Sequence, residues 1–144
     1  MKNITKKEIQ EEREQHVYEY DAVVERIIDG DTVYLKLSKS FSFKIDFGFH
    51  IKETVIVKKE SVIDFRLLGI NAPEMNGNEK IAGEAAKVAL EKLILNEPLR
   101  VETMKTGKFG RWLAKIFIKN EDSSETDVNQ WMIDNGFAVI YNIK

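Results

Sequence analysis

Cysteine is absent from the 144-residue chain, which excludes disulfides, thiolate zinc sites and cysteine nucleophiles together. Histidine is nearly absent, with His16 and His50 the two present, too few for a histidine-rich transition-metal centre. Any metal would therefore be a hard cation held by oxygen ligands. No apolar run approaches the roughly 18 residues of a membrane span. The first residues, MKNITKKEIQEEREQ, lack the apolar segment of a signal peptide. A cytoplasmic protein is the expectation, unless a leader has been removed. An excess of positive charge is missing too. Twenty-two Lys and Arg against 24 Asp and Glu leave a net charge of −2, whereas nucleic-acid-binding domains are usually basic. Contact with nucleic acid would need a local basic surface.

What is present suits one globular domain. Hydrophobic residues make up 43% of the chain, with eight Phe, four Tyr and two Trp to fill a core. Thr5 and Glu8 have capping-box spacing, with Ile4 and Ile9 as a hydrophobic staple, so residues 1–16 read as a short peripheral helical arm. Strands are expected at 17–28 and 32–37, joined by Asp29-Gly30, a hairpin turn signal. The stretch FSFKIDFGFHI, residues 41–51, is apolar at every second position, as for a strand with one buried face. Further strands are expected at 54–58 and 62–70, ended by Pro73, which lacks an N–H and holds Ala72 extended. Residues 79–95 read as a helix through Ala82, Ala86, Ala89 and Leu93. Leu99–Met104 and Trp112–Lys119 read as strands, NEDSSET (120–126) as an exposed loop. A last helix is expected from the Asp127/Gln130 capping box to Gly136, with 137–143 extended. Strands in runs, not in strict alternation with helices, favour an α+β domain or small barrel.

Four stretches bear groups that could do chemistry. Taken singly, each has an ordinary explanation. Asp29-Gly30-Asp31 is a turn, Arg66 a snorkelling or ion-paired strand residue, Asn71-Ala72-Pro73-Glu74 a strand-ending loop, and Lys108-Phe109-Gly110-Arg111 a solvated basic turn. Together they are less ordinary. Arg66 sits in the apolar run IDFRLLGI, where a guanidinium is costly unless it has a partner. Carboxylates and two arginines form a set suited to phosphate chemistry. Hard oxygens hold a divalent cation, arginine forks grip phosphate oxygens, and a nearby carboxylate positions or deprotonates water.

The sequence resembles the staphylococcal nuclease-like (thermonuclease) family. The resemblance rests on IDGDTV (28–33), FRLLGINAPE (65–74), GEAAKVALEKL (83–93), GKFGRWLAKIF (107–117) and DVNQWMIDNGFAVI (127–140), in the family's order. It implies an OB-fold five-stranded barrel with packed helices over residues 17–144. It also implies a calcium-dependent nuclease acting on DNA or RNA, single-stranded or frayed. By position, Asp31 would be a calcium ligand, Asn71 a second, and Ala72 a third through its backbone carbonyl. Arg66 and Arg111 would bind the phosphate, Glu74 would hold the attacking water as general base, and Phe109 with Lys108 would lie along the substrate. The family has aspartate where Asn71 stands, so one ligand charge is lost. The family's best-known member has a long C-terminal helix that finds no counterpart before Lys144. Residues 39–60 are an insertion, expected as a β-hairpin that extends the barrel and covers what that helix would cover. The alternative is a non-catalytic OB-fold module that binds nucleic acid or protein. A third reading makes the N-terminal arm and the 41–51 strand an oligomerisation surface.

Overall fold

The computed structural model describes residues 17–105 and 112–141. In chain order these form β1 (Tyr18–Asp29), β2 (Thr32–Gly48), β3 (Ile51–Leu67), β4 (Ile70–Asn71) and a 3-10 turn (Gly77–Glu79). There follow α1 (Lys80–Ile94), β5 (Leu99–Lys105), β6 (Trp112–Lys119), β7 (Glu125–Asp127), α2 (Val128–Asp134) and β8 (Val139–Ile140). The expected N-terminal arm lies outside the described residues, as does the KTGKFGR loop from position 106 to 111.

Period-two burial drives the sheet. Val33, Leu35 and Leu37 of β2 point inward, and so do Leu99 and Val101 of β5, as expected for strands with one face on a core. On β1 the inward residue Ala22 is even-numbered and Ile27 odd. A bulge between Val24 and Arg26 supplies the extra residue that shifts the parity. The strands lie in the order β3-β2-β1-β5-β6, and β6 returns parallel to β3 at Arg66↔Leu113 and Leu67↔Ala114. The result is a closed ring of five strands with α1 and α2 packed on it, the OB-type arrangement that the family resemblance implies. Closure removes the sheet edges within the ring, while the antiparallel β2–β3 pairing sets the start of β2 beside the end of β3.

The Asp-Gly turn falls where expected, with Asp29 paired to Thr32, but glycine is needed there for space. Gly30 keeps a negative φ, and a Cβ on it would stand 2.8 Å from the Cβ atoms of Ala72 and Ala86. The turn is thus wedged between the 72–74 loop and α1. On α1 the buried stripe is Gly83, Ala86, Leu90 and Ile94, not the expected set led by Ala82, which is exposed. Gly83 joins the stripe because the 73–74 backbone crosses directly over it. At α2, Asp127 accepts a hydrogen bond from the Gln130 N–H at 3.1 Å, and Gly136 has a φ of +76°, so both expected caps form. Asn129 is buried. It accepts from the Ile116 N–H and donates to the Leu68 and Ala114 carbonyls, pinning α2 to the place where β3 and β6 meet.

The insertion departs from expectation. The 41–51 stretch is not one strand with a buried face. Its turn lies inside it, at Phe49-His50, both at positive φ, with Gly48 paired to Ile51. Beyond Ser38, β2 and β3 pair only with each other, through to Asp46↔Lys52. They leave the ring as a two-stranded ribbon, and both of its faces are open over residues 39–53. A hairpin forms as expected, but it projects from the ring and covers none of it.

Candidate active site

The β1–β2 turn delivers Asp31 to the interior. Its N–H donates to the Asp29 Oδ1 at 3.0 Å, and its carbonyl accepts from the Leu67 N–H at 2.8 Å. Its side chain is buried, with Oδ2 accepting from the Ala72 N–H at 2.8 Å and Oδ1 from the Thr32 hydroxyl at 3.2 Å. Burial raises the Asp31 carboxyl from its ordinary value of 3.8 to about 6. Asp29 adds to the rise, while the Ala72 N–H and the Arg66 charge oppose it. A carboxylate in this position carries more negative charge than its described surroundings compensate.

Arg66 stands on β3 directly across from Thr32. Its Nη2 donates to the Asn71 Oδ1 at 3.0 Å, and its guanidinium carbon lies 5.0 Å from the centre of the Tyr141 ring. Its Nε is buried and has no acceptor among the described residues. Arg100 shows the opposite situation for a strand arginine. It is paired with Glu19, Glu102 and Glu125 and lies on the face of Phe117. Among the described residues Arg66 has no such carboxylate.

Glu74 lies two residues past Ala72 and is exposed. Its N–H donates to the Glu79 Oε2 at 2.9 Å, which ties the loop to the foot of α1. Glu74, Glu79 and Asn71 line a shallow cavity of about 170 Å³, walled by residues 136–139 after α2. The structure therefore brings Asp31, Arg66, Asn71, Ala72 and Glu74 to one end of the ring. Arg111, Phe109 and Lys108 lie outside the described residues. A larger cavity, about 700 Å³, opens between α1 and α2 against Ile81, Val88, Trp131 and Phe137. It contains none of the predicted residues. An open site suits a polymeric substrate better than an apolar pocket of that kind, which suits small molecules.

As a cation site the end of the ring offers oxygens only: the Asp31 carboxylate, the Asn71 amide oxygen and the Ala72 carbonyl. That donor chemistry fits a hard cation, but the charge is low. Among the described residues no group of three or more His, Cys, Asp or Glu is placed to hold a metal. The Asn71 oxygen already accepts from Arg66, although an amide oxygen has a second lone pair free.

Three contributors were not evident from the sequence. Tyr141 reads only as part of an extended tail, yet the hydrogen bond from its N–H to the Gly69 carbonyl and the short β4–β8 pairing set its ring against Arg66. Glu79 reads as a first-turn helix residue. Gly83 carries the one available signal, a glycine inside a helix, where it costs about 1 kcal/mol relative to alanine and so calls for a packing reason.

The buried charge leads to a stability prediction. Asp31→Asn keeps an oxygen for the Ala72 N–H and removes the cost of an ionised group. The folded-state pKa is raised, so the carboxyl stabilises the fold below about pH 4 and that contribution is lost as pH rises to about 6. In chelator at pH 8 the variant should be more stable than the parent by about 1–3 kcal/mol, and the gain should vanish near pH 3. Thermal melts at the two pH values check this, and an equal or lower melting temperature at pH 8 contradicts it.

Comparisons with known proteins bear on the family and the fold. A family model described as staphylococcal nuclease homologue matches residues 64–144. An uncharacterised protein of Methanocaldococcus jannaschii is 29% identical over 130 residues, covering 88% of this chain. The match spans 61% of that protein's length. Among solved structures, the extended Tudor domain TD3 of mouse TDRD1, in complex with a MILI peptide containing dimethylarginine 45, superposes with a TM-score of 0.58. The match covers 87% of this chain and 94% of that one, at 8% identity, a likeness of fold alone. With more than half of its residues matched by the family model, the chain belongs to the staphylococcal nuclease homologue family.

Proposed function

We propose that the chain is a calcium-dependent nuclease that hydrolyses phosphodiester bonds of DNA or RNA by attack of water at phosphorus. The observation that carries this reading is Arg66. A guanidinium that has no carboxylate ion-pair partner among the described residues, held by Asn71 and Tyr141 beside a buried and under-compensated Asp31, suits a phosphodiester anion. Arginine forks bind phosphate oxygens bidentately and stabilise the negative charge that grows on them in the transition state. Arg111 takes the same role from the loop outside the described residues, with Lys108 and Phe109 beside the nucleotide. Glu74 is the only carboxylate on the exposed side of the 71–74 segment, and there it orients a water and accepts its proton. Asp31, the Asn71 side chain and the Ala72 carbonyl would hold calcium, which supplies positive charge next to the scissile phosphate. Among the described residues no helix is long and apolar enough to cross a membrane.

Asn71 and the low ligand charge favour a second reading, an OB-type module that binds without cutting. The Tudor structure, solved with a peptide, shows that such a fold can serve binding. Incubation with heat-denatured DNA in calcium or in EGTA separates the two. Cleavage with calcium that stops in EGTA supports the nuclease, whereas binding without cleavage in both supports the module. Under the nuclease reading Asn71→Asp adds a ligand charge and still accepts from Arg66. It should tighten calcium by about tenfold, roughly 1.4 kcal/mol, and calorimetry showing no gain would remove Asn71 from the metal shell.

A further inference from the structure

The β2–β3 ribbon has two unlike faces. In register, Phe41 pairs with Val57, Phe43 with Val55 and Ile45 with Glu53, with Lys39↔Lys59 at the root. Partners in register share a face, so this face is apolar in the middle and charged at its ends. The other face pairs Ser40 with Lys58, Ser42 with Ile56 and Lys44 with Thr54. The apolar face continues the inward side of β2 beyond Leu37, where the ring no longer covers it. Phe41 remains 61% exposed, Phe43 44% and Phe47 62%. A two-stranded ribbon is marginal in water unless one face is packed. What packs this one?

We propose that a second copy of the chain covers it, the two ribbons lying face to face about a two-fold axis. Area is the first argument. Phe41, Phe43, Ile45, Phe47 and Val57 expose roughly 450 Å² of apolar surface, and the tip residues Phe49 and Ile51 raise this to roughly 700 Å². That exceeds the largest patch on a typical monomer. Two copies would bury roughly 900 Å² ribbon on ribbon and roughly 1,400 Å² with the tips lying against the partner's ring, the size of an ordinary stable interface.

Charge is the second, independent argument. Lys39 and Lys59 are directly opposed like charges at the root, while Glu53 stands at the tip of the same face. Among the described residues neither Glu53 nor Lys59 has an ion-pair partner. Six residues apart on one strand, they are about 20 Å from each other and cannot pair within a copy. A two-fold axis at the level of Ser42 and Ile56 changes this. It sets Phe41 of one copy against Phe43 of the other, Val55 against Val57, and Glu53 against Lys59. On β2 the apolar centre matches in this register and on β3 the charged ends do, while Lys39 lies over the Ile45 end of the other copy, so the contact is self-complementary along β3.

Sedimentation velocity of the full-length chain over a range of concentrations tests the proposal. The parent should sediment as a dimer of twice 16.6 kDa. Glu53→Lys and Lys59→Glu should each weaken it by about 10- to 100-fold, because the symmetry repeats each like-charge contact. The double variant Glu53→Lys/Lys59→Glu should restore the parent's dimerisation. Both sites lie outside the ring, so a far-ultraviolet circular dichroism spectrum like the parent's confirms that the variants fold. A parent that stays monomeric throughout overturns the proposal. So does a dimer that neither single variant weakens, or a double variant that is not rescued.

Discussion

Glu74→Gln is expected to lower turnover on heat-denatured DNA by about 10²-fold or more, with the melting temperature unchanged. The side chain is exposed, and the loop is held by the Glu74 N–H on Glu79, so the amide costs nothing in packing. What it loses is the ability to take a proton from water. Calcium affinity should stay within a few-fold of the parent, because Asp31, Asn71 and Ala72 are untouched. The nearest competitor for the role is Glu79, which lines the same cavity. Glu79→Gln retains an acceptor for the Glu74 N–H and should reduce turnover only slightly. If the two variants exchange these outcomes, the base is Glu79 and the assignment of Glu74 is wrong.

The resemblance placed Asp31, Arg66, Asn71 and Ala72 in one neighbourhood, and the ring puts them there. The reason is local. The Asp-Gly turn, the FRLL strand and the Pro-ended loop each bear their own signal, and the β2–β3 pairing, with Thr32 opposite Arg66, is the added element that joins them. What was not legible depends on contacts between distant segments. Tyr141 reaches Arg66 only because β8 pairs with β4, two residues on each side, too short to leave a period. The ribbon's open face is hidden in the sequence for a different reason. Alternation at 41, 43, 45, 47, 49 and 51 reports that a face is apolar, but not whether the chain that covers it is its own. Its turn was hidden as well. Phe49 and His50 both take positive φ, a conformation that is uncommon for Phe and that His, though enriched in it, adopts only in a minority of cases.

Gly83→Ala is the second large effect, and it acts on Glu74 from the other side of the loop. On helix propensity alone the substitution should stabilise the fold by about 1 kcal/mol. The added Cβ, however, would stand 2.2 Å from the Glu74 carbonyl oxygen and 2.7 Å from its carbon, with the Pro73 oxygen at 3.0 Å. All three are backbone atoms, so no side chain can rotate away. Either α1 or the 73–74 segment must move outward by about 1 Å to reach ordinary contact distance. Overpacking of this kind costs about 1–3 kcal/mol, enough to cancel the propensity gain and lower the melting temperature by several degrees. The displacement carries Glu74 with it, and a shift of about 1 Å in a reacting group is worth about 10²-fold in rate. Turnover should therefore fall about as far as in Glu74→Gln, although every chemical group is still present. Glu84→Ala, one position along on the exposed side of α1, is the control and should alter neither quantity. Should Gly83→Ala retain full activity and stability, the close crossing of the loop over α1 would not be what holds Glu74 in place.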